Sequence, residues 1–189
     1  ALPSWVHHST LPDLVARHQV VLITGGTGCG KSTQCPQFLL DDPSCGRAMS
    51  AVVTQPRRIS AIALADRISF ERGQSVGSSV GYSIKLESRR SEDTQLTFCT
   101  AGVLLRRFAS DPSLRGITHV FVDEVHERDH TTDFLLILLR DLLPRRPDLR
   151  LILMSATMQA DLFSRYFGDC PVVHIAGRTF PVKSFFLED

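Results

Sequence analysis

Val20-Val21-Leu22-Ile23-Thr24-Gly25-Gly26-Thr27-Gly28-Cys29-Gly30-Lys31-Ser32-Thr33 passes from five strand-forming residues through a glycine-rich turn into a lysine and two hydroxyl side chains. The apolar, β-branched start reads as a buried strand, and Lys31 to Leu40 reads as the helix that follows it. Between them, Gly25 to Ser32 fits G-x-x-x-x-G-K-[ST]. Glycines let the backbone curl so that several N–H groups point inward, and the helix N-terminus adds its positive end. The lysine then reaches outer phosphates, and the serine hydroxyl is a magnesium ligand. Gly25, Gly26, Thr27, Gly28, Cys29, Gly30, Lys31, Ser32 and Thr33 are therefore the candidate phosphate-binding residues, with Ser32 a metal ligand.

A second signal says what happens to the bound group. Val120-Phe121-Val122 is an apolar strand that delivers Asp123 and Glu124 at its carboxyl end, where ligands bind in sheets of this kind. Asp123 suits a magnesium ion, and Glu124 suits a water that it orients and deprotonates for attack on a terminal phosphate. Together the two segments predict hydrolysis of a nucleoside triphosphate.

Outward from these, β-type runs alternate with helical patterns along the whole chain, which predicts a mostly parallel sheet with helices on both faces. After a polar start and the first strand–helix pair come a strand at Ala51–Gln55 and a helix at Arg57–Arg72, with apolar residues at Ile59, Ile62, Ala63, Ile68 and Phe70. Strands follow at Val80–Leu86 and Leu96–Cys99, with Thr100 as N-cap of a helix through Phe108. The last third reads as strand Ile117–Val122, helix Thr131–Leu143 stopped by Pro144, strand Leu151–Met154, helix Gln159–Phe167 and strand Val172–Ile175.

Composition bounds the rest. In 189 residues, 43% hydrophobic content excludes a disordered chain, and 12 Gly with 10 Pro exclude a collagen-like one. The length suits one globular domain. No apolar run approaches the ~20 residues needed to span a bilayer, so no membrane partner is expected. Five well-separated cysteines without a Cys-x-x-Cys pair read as reduced, intracellular thiols, although the organelle is not legible. The tail from Phe180 to Asp189 carries no stop signal, which predicts that the chain continues into something longer. Two other patterns fail on context. His126 to His130 spells H-E-x-x-H but starts directly after a strand end, and Gly73 to Gly77 spells G-x-S-x-G after a helix instead of between strand and helix.

Five segments in order carry a family resemblance: Gly25 to Ser32; Thr54-Gln55-Pro56-Arg57-Arg58; Thr100-Ala101-Gly102-Val103-Leu104; Asp123-Glu124-Val125-His126-Glu127-Arg128-Asp129; and Ser155-Ala156-Thr157. Their order and spacing resemble the first RecA-like domain of a DEAH-box RNA helicase of superfamily 2, in the branch that includes RNA helicase A. The resemblance implies a RecA-like P-loop fold over residues 1–189. It further implies ATP and Mg²⁺ as cofactors, single-stranded RNA as a sequence-independent partner, and a second RecA-like domain outside this segment. It assigns Lys31, Asp123, Glu124 and His126 to catalysis and places Arg67 on the adenine face. Arg57, Arg58 and Thr100 take the RNA backbone. His126 with Ser155, Ala156 and Thr157 couples hydrolysis to domain movement, while N-capping of the next helix is a compatible role for Ser155 and Thr157. Val125, Gly26 and Lys85 depart from the alanine, glutamate and arginine frequent at the matching family positions. Unwinding and ATP-gated clamping of RNA both remain open at this level. By itself the domain is expected to fold and bind nucleotide yet hydrolyse ATP poorly, because arginines of the second domain would steady transition-state charge.

Overall fold

The computed structural model describes residues 2–43, 49–156 and 160–177. Their order is α1 (Thr10–Arg17), β1 (Val20–Gly25), α2 (Lys31–Asp41), β2 (Ala51–Gln55), α3 (Arg58–Glu71), β3 (Val80–Ile84), β4 (Glu87–Arg89) and β5 (Leu96–Thr100), then α4 (Ala101–Ser110), β6 (His119–Val122), α5 (His130–Leu142), β7 (Arg150–Ser155), α6 (Ala160–Tyr166) and β8 (Val172–Ile175). The strands form one sheet in the order β4-β3-β5-β2-β6-β7-β1-β8. Every pairing is parallel except β3 with β4.

Alternation along the central strands divides the core in two. Val21 and Ile23 of β1, Phe121 of β6, and Ile152 and Met154 of β7 face one cluster with residues of α1, α2 and α3. Val20, Leu22, Val120, Val122, Leu151 and Leu153 face the other with residues of α4, α5 and α6. A sheet covered on both faces needs strands that are apolar at every position, and this is why β1 and β6 read as unbroken apolar runs.

Several sequence readings require correction. The polar start contains α1, whose Leu11 and Val15 are buried and whose Pro12 sits in the first turn, where a missing N–H costs no helical bond. Val80 to Leu86 is not one strand: the chain turns at Lys85-Leu86, with Leu86 at φ 69°, and returns antiparallel as β4. Helix α3 packs through Ala61, Ala65 and Ile68, whereas Ile59 and Phe70 are exposed, because small side chains let the helix lie close to the sheet. Helix α5 begins one residue earlier than its periodicity suggests. Asp129 caps it, accepting from the Thr131 and Thr132 N–H groups at 3.1 and 3.0 Å. Thr100 does hold the N-cap position of α4, but its side chain makes no capping hydrogen bond. Thr157, the start of the Gln159–Phe167 helix and the tail after Gly177 lie outside the described residues.

His119 gives the fold a pH signature. It opens β6 opposite Arg150 of β7, and burial, with Arg150 beside it, pushes the imidazole down to about 4. Above pH ~6.5 both folded and unfolded chains are neutral here; below it only the unfolded chain takes the proton. Stability therefore falls as pH drops from ~6.5 to ~4, by up to ~3 kcal/mol for this one group. His119→Gln is expected to flatten that part of a urea-unfolding series across pH. An unchanged slope would remove His119 as its source.

Candidate nucleotide site

The carboxyl ends of β1, β2, β5, β6 and β7 lie at one edge of the sheet, with Thr24 in register with Ser155, Thr54 with Val122 and Gln55 with Thr100. Each predicted chemical segment begins at one of those ends. From β1 the chain turns through Gly28 (φ 79°) and Gly30 (φ 95°) into α2. Both angles are left-handed, and a Cβ on Gly30 would lie 2.5 Å from Ser4 Oγ. The turn is braced from outside by the N-terminal segment, where the Ser4 N–H donates to the Cys29 carbonyl at 3.1 Å. Nothing in the periodicity of residues 2–9 signals that contact.

Lys31 is buried, and its Nζ donates to the Gly25 and Gly26 carbonyls at 2.6 and 3.2 Å. The ammonium group thus spans the mouth of the loop. Asp123 is buried at the end of β6. Its Oδ2 accepts from Gln55 Nε2 at 2.6 Å, its Oδ1 accepts from the Glu124 N–H at 2.9 Å, and the Ser32 hydroxyl bonds the same carboxylate. Burial pushes the Asp123 carboxyl up, while the Ser32, Gln55 and Glu124 hydrogen bonds and the Lys31 charge oppose that rise. A buried carboxylate bonded to a hydroxyl presents two hard oxygen donors side by side, a fit for Mg²⁺. Gln55 was not legible as a site residue. Its position at the end of β2 becomes meaningful only once β2 is known to lie beside β6.

Glu124 adopts φ 54° and ψ 37°, a left-handed conformation that non-glycine residues rarely take. Its Oε2 is buried and accepts no hydrogen bond within the described residues. Burial, then the Asp123 charge, pushes this carboxyl up, and His126 and Lys31 act against that. His126 Nδ1 lies 3.3 Å from the same oxygen and accepts the Ala156 N–H at 3.2 Å. The acidic pair and the end of β7 are joined through this one imidazole, next to the buried Ser155.

Thr27, Gly28, Gly30, Lys31, Ser32 and Thr33 line one wall of a cleft of about 310 Å³, which Arg67, Glu71, Glu124 and Leu2 complete. Arg67 stands at its exposed rim, paired with Glu71 at 2.7 Å. Arg57 and Arg58 lie apart from the cleft but on the same sheet edge. Both are exposed at the start of α3, and Arg58 Nη2 donates to the Lys85 carbonyl at 3.4 Å. Thr100 ends β5, in register with Gln55 two residues before Arg57. The three residues expected to meet a nucleic-acid backbone therefore lie at the ends of two neighbouring strands on one sheet edge. His126 and His130, by contrast, fall in different elements, a 3₁₀ turn and the first residue of α5, so H-E-x-x-H does not lie on one helix.

Residues 5–163 match the family model described as DEAD/DEAH box helicase. The chain is 58% identical over 191 residues to the DExH-box ATP-dependent RNA helicase DExH1 of Arabidopsis thaliana. It is 55% identical over 192 residues to the putative ATP-dependent RNA helicase DHX57 of Homo sapiens, and 50% over 192 residues to the human ATP-dependent RNA helicase DHX30. All of this chain is covered in each case, against 19%, 14% and 16% of the respective relative, so it spans less than a fifth of their length. Phosphate loop, acidic pair and sheet edge agree with that match: the chain belongs to the DEAD/DEAH box helicase family.

Proposed function

We propose that this chain is the nucleotide-binding and hydrolysing domain of an ATP-dependent RNA helicase. The observation that carries the reading is Glu124 Oε2, a buried carboxylate oxygen without a hydrogen-bond donor among the described residues, on the wall of a cleft shared with a phosphate loop. Such an oxygen is destabilised as an anion and so gains from taking a proton. Lys31 and the loop residues from Gly25 to Thr33 would hold the triphosphate, and Ser32 with Asp123 would hold Mg²⁺. When bound, the ion neutralises charge on the outer phosphates. Water attacks the terminal phosphorus, the bond to the bridging oxygen breaks, and the water proton passes to Glu124. Gln55 and the Glu124 N–H keep Asp123 fixed while this happens.

His126 is placed to report the event. Its link to Ala156 ties the acidic pair to the Ser155-Ala156-Thr157 segment, which would pass a change at Glu124 to the end of β7. A second RecA-like domain of the parent chain is the partner we expect to respond, and it would supply the cations that complete the site. The names of the relatives, and the placement of Arg57, Arg58 and Thr100 at neighbouring strand ends, support RNA as the other partner. The free, buried Cys29, Cys35, Cys99 and Cys170 support an intracellular setting. Among the described residues no helix is long and apolar enough to cross a membrane.

The test is Mg²⁺-dependent ATP hydrolysis by the full-length protein with and without single-stranded RNA. RNA is expected to stimulate hydrolysis at low salt, whatever its sequence. Arg57→Ala with Arg58→Ala should weaken RNA binding equally across sequences and lower the salt-dependence slope by ~0.7 per charge removed. Hydrolysis indifferent to RNA would overturn the RNA half of the proposal, and strand displacement separates an unwinding enzyme from a clamp.

A further inference from the structure

Glu71 lines the nucleotide cleft, yet no motif points to it. It sits in the last turn of α3, one helical turn after Arg67, and its Oε1 accepts from Arg67 Nε at 2.7 Å. An exposed i,i+4 pair alone would mean little. This one has a second half. Glu71 Oε2 accepts from Gln34 Nε2 at 2.9 Å and from Gln37 Nε2 at 3.0 Å, and both amides belong to α2, the helix that the phosphate loop opens. Gln34 and Gln37 are 9% and 8% exposed, so neither is a freely moving surface amide. Gln37 is fixed further by donating to the Thr33 carbonyl at 2.9 Å, within its own helix. The next residue along α3 repeats the connection, because Arg72 pairs with Asp41 of α2 at 2.7 and 3.0 Å. The two helices are thus held in register at the cleft.

We infer that Glu71 is a positioning residue for the nucleotide: it fixes the Arg67 guanidinium relative to the phosphate loop, so that base and triphosphate are held at one set distance. The inference rests on the nucleotide reading of the cleft. The physical case is one of entropy. An arginine that is 62% exposed samples many rotamers, and a base that stacks on it must first order it. Glu71, itself held by two nearly buried amides, has already restricted that guanidinium by engaging Nε. The planar face of the group remains open, because the contact is made at its edge. Arg67 and Lys31 then act as two fixed points, one for the base and one for the phosphates, with Glu71 as the tie.

The test compares two probes on the full-length protein, a fluorescent ATP analogue and inorganic tripolyphosphate as its competitor. Glu71→Ala is expected to weaken ATP binding by about two- to five-fold, in keeping with a partly exposed pair, and to leave tripolyphosphate binding unchanged. KM for ATP should rise while kcat stays near wild type, since Glu71 bonds Arg67, Gln34 and Gln37 rather than the residues assigned to the chemical step. A cycle with Arg67→Ala supplies the control for general damage. If Glu71 acts through Arg67, then Glu71→Ala has no further effect on ATP binding once Arg67 is Ala. Additive losses in that cycle, or equal weakening of ATP and tripolyphosphate, would overturn the inference and leave Glu71 a structural residue. If the wild-type protein bound neither probe, the nucleotide reading would fall and the inference with it.

Discussion

Glu124→Gln is expected to lower ATP turnover by the full-length protein by ~10²–10⁴-fold while ATP binding stays close to wild type. The amide keeps the size and shape of the carboxylate, and a left-handed backbone at φ 54° burdens Gln no more than Glu. What changes is the ability to take the proton of the attacking water. Two features make this position the sensitive one: the Oε2 atom has no hydrogen-bond donor within the described residues, and the neighbouring Asp123 charge already opposes its ionisation. Removing that carboxylate also removes repulsion toward a triphosphate, so any change in affinity should be toward tighter binding. Turnover is measured by phosphate release and binding by fluorescence of an ATP analogue. Wild-type turnover in Glu124→Gln would remove Glu124 as the base.

Lys31→Ala should have the second largest effect, this time on binding. Charge-assisted hydrogen bonds contribute ~1.5–3 kcal/mol, so ATP affinity is expected to fall by roughly one to two orders of magnitude. The same substitution strips the Gly25 and Gly26 carbonyls of the donor that spans them at 2.6 and 3.2 Å, which loosens the loop itself. Lys31→Met keeps the buried stem while removing the charged donor, so any loosening of the loop is read separately, as a fall in melting temperature. Affinity lost in both variants with an unchanged melting temperature in Lys31→Met assigns the loss to the phosphate contact. ATP bound as tightly by Lys31→Met as by wild type would refute it.

The parts of the site that were readable in advance share one property: each is a short segment whose chemistry and geometry are local. Gly25 to Ser32 announces itself because left-handed angles at Gly28 and Gly30 need glycine, and because a lysine and a serine must follow at once. Asp123 and Glu124 are legible because an apolar strand ends on them. Helix α1 was missed because Pro12 and Asp13 break its apolar pattern, although Leu11 and Val15 bury fully. The β3–β4 turn was missed because Lys85 and Leu86 are not turn formers, and a positive φ at leucine leaves no trace in the residue type. Ile59 and Phe70 misled for a different reason, since an apolar side chain on a helix does not say which face lies against the sheet.

By itself the sequence determined that a phosphate loop and an acidic pair sit at strand ends of a covered parallel sheet, because strand, turn and helix preferences act over a few residues. Only the tertiary structure decided which side chains surround them. Gln55 meets Asp123 across 68 positions, Gln34 meets Glu71 across 37, and His126 meets Ala156 across 30. Those meetings follow from the order β2-β6-β7-β1 and from the packing of α2 on α3. Strand order is set by burial of the whole sheet between two layers of helices, a property of the folded chain that no local stretch contains.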